Sequence, residues 1–248
     1  MVKSALIIPT GVSSLDLILN GGLHTGHLTH AFGEAAAGKT TLALHFVNAA
    51  CRLDVGTVYV NSEGESPIER LEQITNKKLD EIEGLVTILS PKSFSEQGTL
   101  IDDLDLYSRE GTRLVVIDTL TRLYRAALED KTINYAAHRE LNIQMGILKG
   151  LAKERNMAVM VLNQVRGRMD ESRGFEPVAR NIMEFYEDYS IRLRVGRGRA
   201  ERIVERLVPE GEPSKSVMYL AMKGFTAKRS TEENSEMGPE ENLTQEQR

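Results

Sequence analysis

Hydrophobic and polar positions along the chain follow two alternating rhythms. Short runs rich in β-branched and aliphatic residues, LTHAF (28–32), TVYVN (57–61), LVTIL (85–89), LVVID (114–118) and MAVMVLN (157–163), predict strands. TTLALHFVNAACRL, PIERLEQI, EQGTLIDDLDLYSRE and a longer stretch from Asn134 to Arg155 lie between them, and their apolar spacing predicts helices. Strands alternating with helices make a largely parallel sheet with helices on both faces, the α/β class. LVVID and AVMVL are continuously apolar, as strands covered on both faces should be.

Beyond Asn163 the rhythm changes. Residues 164–181 are rich in Arg, Gly and Asp with little period. SIRLRV (190–195), the turn GRGR, ERIVERL (201–207) and SVMYLAM (216–222) then predict an antiparallel extension of the sheet. No internal repeat is evident. From Ala227 the last 22 residues hold six Glu, three Lys or Arg and almost nothing apolar. Such a segment cannot bury enough surface to fold. The expected organisation is therefore one core over 1–226 and a disordered acidic tail over 227–248.

Length and composition narrow the class without naming a function. The chain has 248 residues, 41% hydrophobic and 27% charged, which excludes a wholly disordered chain and a coiled coil. No run approaches the ~20 apolar residues of a membrane span, and the start MVKSALIIPTG has too short an apolar run for a signal peptide. A lone Cys51 excludes an internal disulfide framework and suits a reducing compartment. A cytoplasmic protein without membrane partners is expected. The net charge of −5 argues against a nucleic-acid partner until it is divided by segment. The tail carries −3 of it, and Arg192, Arg194, Arg197 and Arg199 fall within eight residues that contain no acid.

The strongest chemical signal is Gly33-Glu34-Ala35-Ala36-Ala37-Gly38-Lys39-Thr40, followed by Thr41. It matches G-x-x-x-x-G-K-[ST] and sits between a predicted strand and a predicted helix, the context a phosphate loop requires. Its glycines let backbone N–H groups line a concave anion site at a helix N-terminus. Lys39 would reach the β and γ phosphates, and Thr40 would offer its hydroxyl to Mg²⁺. Asp118, at the end of the LVVID run, is the natural acid to hold Mg²⁺ through water. Hydrolysis also needs a group to orient water. Glu63 ends the TVYVNSE run at the carboxyl edge where α/β folds collect ligands, with Glu65 and Glu69 as competing acids.

Two other signals lead elsewhere. Asn76-Lys77-Lys78-Leu79-Asp80 approaches the guanine signature N-K-x-D, but its acid is one residue late and it follows a helix instead of a strand. It reads as a helix C-terminus and loop. Histidines 24, 27, 30, 45 and 138 have no accompanying cysteine or carboxylate cluster, so structural or surface roles are expected for them.

The blocks IPTGVSSLDLILNGGLHTGHLTHAFGEAAAGKTTLAL, YVNSEGESPIERL, LVVIDTLTRLYR and VLNQVRGR together resemble the ATPase core of RecA/RadA-type recombinases, especially the archaeal kind, over about Ile8 to Phe225. The resemblance implies a RecA-like core that binds ATP and Mg²⁺. It also implies that Glu63 activates water, that Arg70 packs on adenine, and that Gln164 senses the γ-phosphate and couples it to a DNA loop. Two loops would bind single-stranded DNA, the first near 126–139 with Lys131 and Arg139, the second after Gln164 with Arg166, Arg168, Arg173 and Arg180. Arginine suits phosphate contacts through its fixed fork of donors.

The sequence departs from the full recombinases. Only 32 residues precede Gly33, too few for the helical N-terminal domain and the F-x-x-A segment that joins protomers. Arg180-Asn181-Ile182 stands near where those enzymes carry Gly-Gly-His. The architecture resembles a RadB-type paralogue, an accessory core with slow hydrolysis that works with a RadA-type recombinase and has scope to homo-oligomerise. The other reading of the same fold is an ATP-dependent switch that controls a protein partner, as in clock and signalling relatives.

Overall fold

In the computed structural model, residues 5–129, 134–167 and 175–227 are described. The elements in chain order are β1 (Ile7–Ile8), α1 (Ser13–Ile18), β2 (Leu23–His24), β3 (Leu28–Gly33), α2 (Lys39–Arg52), β4 (Gly56–Asn61), α3 (Ile68–Thr75), α4 (Leu79–Ile82) and β5 (Val86–Leu89). They continue as α5 (Phe94–Asp102), α6 (Leu104–Tyr107), β6 (Thr112–Asp118), α7 (Leu120–Ala127), α8 (Asn134–Arg155) and β7 (Ala158–Gly167). The last are β8 (Phe175–Pro177), α9 (Arg180–Tyr186), β9 (Tyr189–Val195), β10 (Glu201–Val208), β11 (Lys215–Ala221) and β12 (Gly224–Thr226).

The main sheet runs β12-β11-β10-β9-β3-β7-β6-β4-β5, with β8 paired to β7, while β1 and β2 form a separate two-stranded ribbon. From β9 to β5 every pairing is parallel, and from β9 to β12 every pairing is antiparallel. β9 is thus the hinge between the two halves and belongs to both.

The continuously apolar strands are explained by two cores, one on each face. On β6, Leu114 and Val116 pack with α2, while Val115 and Ile117 pack with α8. On β7, Met160 and Leu162 join the first core, Val159 and Val161 the second. α1 to α4 cover one face and α5 to α9 the other. No described helix is long and apolar enough to cross a membrane.

The helix predicted from EQGTLIDDLDLYSRE is broken into α5 and α6 at Asp103. α5 starts where the Ser93 hydroxyl accepts from the Glu96 N–H at 3.1 Å, an N-cap. α3 ends at Asn76 in the left-handed conformation (φ 56°), so the near-guanine motif is a helix terminus followed by the short α4. Eight elements lie outside the predicted runs, β1, α1, β2, α4, α7, β8, α9 and β12, although Leu120, Leu123, Tyr124 and Ala127 of α7 do recur at helical spacing.

What positions the site is the strand order. β3 and β7 are neighbours, yet the chain leaves β3 through α2 toward β4 and leaves β7 toward β9, on opposite sides. A crevice opens at the carboxyl ends of such strands.

Candidate functional site

The register sets the crevice's floor. Gly33 at the end of β3 lies beside Gln164 on β7, and Asn61 at the end of β4 lies beside Asp118 on β6. Four strand ends therefore deliver four sequence-predicted segments to one cleft of about 860 Å³. Its lining includes Gly33, Ala35, Ala36, Gly38, Lys39, Thr40, Thr41, Glu63, Arg70, Asp118 and Gln164.

The phosphate loop depends on two glycines for separate reasons. A Cβ at Gly33 would come 2.3 Å from the Leu193 carbonyl oxygen, because β9 passes directly beside it. Gly38 adopts φ +93°, and a Cβ there would lie 2.7 Å from Phe225 Cζ. Lys39 Nζ donates to the carbonyls of Gly33 (2.9 Å) and Glu34 (2.8 Å), so its ammonium is held inside the loop's curl. Burial lowers its pKa, against the raising effect of Asp118, Glu63 and Glu34. Arg202, from β10, donates through Nε to the Ala36 carbonyl at 3.0 Å and braces the loop from outside.

Asp118 is 1% exposed. Its Oδ2 accepts from Thr40 Oγ1 (2.8 Å) and from the Tyr59 hydroxyl (2.6 Å). Burial pushes the carboxyl's pKa up, and the Tyr59 and Thr40 hydrogen bonds pull it back down. Oδ1 is buried without a hydrogen-bond partner. An orphaned carboxylate oxygen beside a hydroxyl whose proton is already committed is an oxygen-only donor set suited to a hard divalent cation. Thr40 and Asp118 are the residues that could hold it.

Glu63 faces the same space. Its Oε1 accepts from Thr119 Oγ1 (2.7 Å) and Gln164 Nε2 (3.2 Å), and its N–H donates to Asn61 Oδ1 (3.2 Å). Glu65 lines the rim and Glu69 is exposed on α3, so among the three acids Glu63 is the one joined to Gln164. Arg70 sits at the opposite wall and donates to the carbonyls of Ala221 (2.9 Å) and Met222 (2.6 Å), which ties α3 to the β11–β12 turn.

The DNA candidates are less united. Arg166 is exposed at the end of β7 and shares a cavity of about 560 Å³ with Arg180, His138 and Tyr124. Arg180 is already paired with Glu176 (3.0 Å) and Glu184 (2.5 Å). Arg139 is exposed on α8. Lys131, Arg168 and Arg173 lie outside the described residues.

The acid-free strip around Arg192 needs correction. β9 pairs with β10 so that Glu205 stands opposite Arg192. Glu205 Oε2 lies 2.6 Å from Arg192 and 3.4 Å from Arg194. Burial alone would raise the Glu205 carboxyl, but the Arg192 hydrogen bond and the charges of Arg192 and Arg194 hold it below the usual range. The strip is thus partly neutralised across the strands, one carboxylate serving Arg192 and Arg194 while Arg197 and Arg199 are exposed in the β9–β10 turn, which sequence proximity alone does not reveal.

His30 is buried, 2.6 Å from Glu187 and 3.2 Å from Asn163 Nδ2. It is a structural histidine, as expected. Tyr59, Thr119, Arg202 and the arginines of α7 were not foreseen as site residues. The signal for Thr119 was its place directly after Asp118; Arg202 had none, since it reaches the loop across the sheet.

A phosphate loop at the switch point of a mostly parallel sheet, with a strand-end aspartate on its threonine, defines a RecA-like phosphate-loop nucleotide-binding protein. Residues 2–225 match the Rad51 family model, and the chain belongs to the Rad51 family. It is 30% identical over 200 residues to the DNA repair and recombination protein RadB of Methanococcoides burtonii, covering 79% of this chain and 88% of that one. It is 36% identical over 162 residues to the protein of the same name from Archaeoglobus fulgidus, covering 64% and 71%. The Methanococcus maripaludis RadB is 29% identical over 201 residues, 80% of this chain and 91% of the relative.

Proposed function

We propose that this chain is a cytoplasmic recombination accessory ATPase that binds ATP–Mg²⁺ and single-stranded DNA, hydrolyses ATP slowly, and acts with a RadA-type recombinase. The observation that carries the reading is the junction of Lys39, Thr40, Asp118, Glu63 and Gln164 in one cleft. The recombination names of the relatives support it over a switch of the clock or signalling type.

In this reading the loop N–H groups and Lys39 bind the triphosphate, and Arg70 packs against the adenine. Thr40 and Asp118 would hold Mg²⁺, which would supply charge neutralisation at the phosphate oxygens. Glu63 orients water in line with the γ-phosphate and takes its proton. Gln164 senses whether the γ-phosphate is present. Gln164 and Arg166 lie two residues apart on β7, so in this reading a shift of Gln164 carries to Arg166.

DNA affinity in this reading is electrostatic and backbone-directed, so it falls steeply with salt. Fluorescence anisotropy with a labelled single strand and ATP–Mg²⁺ tests it. Measurable binding at low salt, lost by 0.3 M and weakened in Arg166→Ala, is expected; no binding at low salt with or without ATP contradicts it.

A further inference from the structure

Helix α7 carries Arg122 and Arg125 three residues apart, hence on one face. Arg122 Nη1 donates to the Ser62 carbonyl at 2.6 Å, the residue before Glu63. Arg125 Nη1 donates to Gln164 Oε1 at 2.8 Å. Arg125 thus touches Gln164 itself and Arg122 the residue before Glu63, and the side chains of Gln164 and Glu63 meet at 3.2 Å.

The Arg125 contact fixes more than a distance. A guanidinium has donors and no acceptor, so the carboxamide atom that meets it must be oxygen. The Gln164 nitrogen is then turned toward Glu63, whose carboxylate only accepts. With the carboxamide reversed, oxygen would face carboxylate and NH₂ would face guanidinium, two repulsive contacts. Arg125 and Glu63 therefore select the same orientation, and Arg125 anchors the oxygen end of the carboxamide whose nitrogen end meets Glu63. Both described hydrogen bonds to the Glu63 carboxylate fall on Oε1, from Thr119 and Gln164, which leaves Oε2 to take a proton from water.

We infer that Arg125 is a positioning residue for water activation, acting on Glu63 through Gln164, while Arg122 one turn earlier fixes the backbone of the Glu63 loop. The inference rests on the reading of Glu63 as the water-orienting acid. The Arg125–Gln164 bond lies at the exposed surface, where such a bond adds little to folding, so its removal should be visible in turnover and not in melting.

The test is a double-mutant cycle on steady-state ATP hydrolysis by the full chain, using Arg125→Ala, Gln164→Ala and both together. Arg125→Ala should lower kcat by ~10-fold, part of the ~10²-fold or more that a positioned base supplies, with KM for ATP and the melting temperature unchanged. In the Gln164→Ala background it should add no further loss, and Arg125→Lys should restore part of the rate. Equal effects in both backgrounds, or a raised KM in place of a lowered kcat, would overturn the inference. If the wild type turns over and Arg125→Ala turns over equally fast, only the inference fails. If the wild type does not turn over, or Glu63→Gln matches it, the ATPase reading fails and takes the inference with it.

Discussion

Asp118 shows how unequal two oxygens of one carboxylate can be. Oδ2 is claimed by Thr40 and Tyr59, and Oδ1 is buried with no partner. The phosphate loop was legible from spacing alone, because its chemistry is local: glycines, a lysine and a threonine in eight consecutive residues. Asp118 was legible as a strand-end acid. Tyr59 was not, because its relation to Asp118 exists only once β4 and β6 pair. Two substitutions separate binding from chemistry at this scale. Lys39→Ala should abolish measurable ATP affinity by calorimetry, since the ammonium held in the loop is lost; unaltered affinity would remove the phosphate-loop assignment. Glu63→Gln keeps the shape and the Thr119 contact but cannot accept a proton. It should bind ATP normally and lower kcat by about 10²-fold or more, read in a steady-state assay.

At the scale of elements, the C-terminal hairpin of β11 and β12 closes onto the helix that carries the phosphate loop. The Phe225 N–H donates to His45 Nε2 at 2.6 Å, the two rings stack with centroids 6.0 Å apart, and Phe225 covers Gly38. His45 must be neutral to accept that hydrogen bond. Burial, with Arg70 and Arg52 adding to it, lowers its pKa to about 4. The unfolded chain has an ordinary histidine pKa of ~6.5, so between that value and 4 the unfolded state binds the proton and the folded state does not. Stability is therefore complete above about pH 6.5 and falls as the pH drops toward 4, by on the order of 3 kcal/mol at most. Denaturant titrations at pH 7 and pH 5 should show this, and His45→Gln should flatten that part of the profile; an unchanged slope would deny His45 the role.

The same hairpin illustrates what the sequence could not show about elements. SVMYLAM was readable as a strand, and β3, β4, β6 and β7 were readable because two-sided burial leaves continuous apolar runs. After Asn163, however, β8 and α9 are too short to show a period, and they are held by contacts such as the Val178 N–H to the Gln164 carbonyl (3.0 Å). α7 was hidden for a different reason: LTRLYRAA follows Asp118 with only Thr119 between, so no turn residue announces a new element.

For the whole molecule, charge is the property that changes most on folding. Read along the chain, ten arginines against eight acids between residues 166 and 206 suggest a mildly basic region. In the fold, Arg192 and Arg194 are spent on Glu205, Arg180 on Glu176 and Glu184, and Arg202 and Arg206 on backbone carbonyls. Among the described arginines of that span, Arg166 is exposed beside the nucleotide cleft's Gln164, and Arg197 and Arg199 are exposed in the β9–β10 turn. In this account the DNA contact that bears on the nucleotide site is the one on β7 through Arg166, and its effect should be felt there more than as tight binding. Steady-state ATP hydrolysis with and without single-stranded DNA tests that coupling most directly. The account predicts slow turnover alone and a severalfold rise in kcat with DNA that disappears in Arg166→Ala. A rate unaffected by DNA at low salt, or no turnover under either condition, would contradict it.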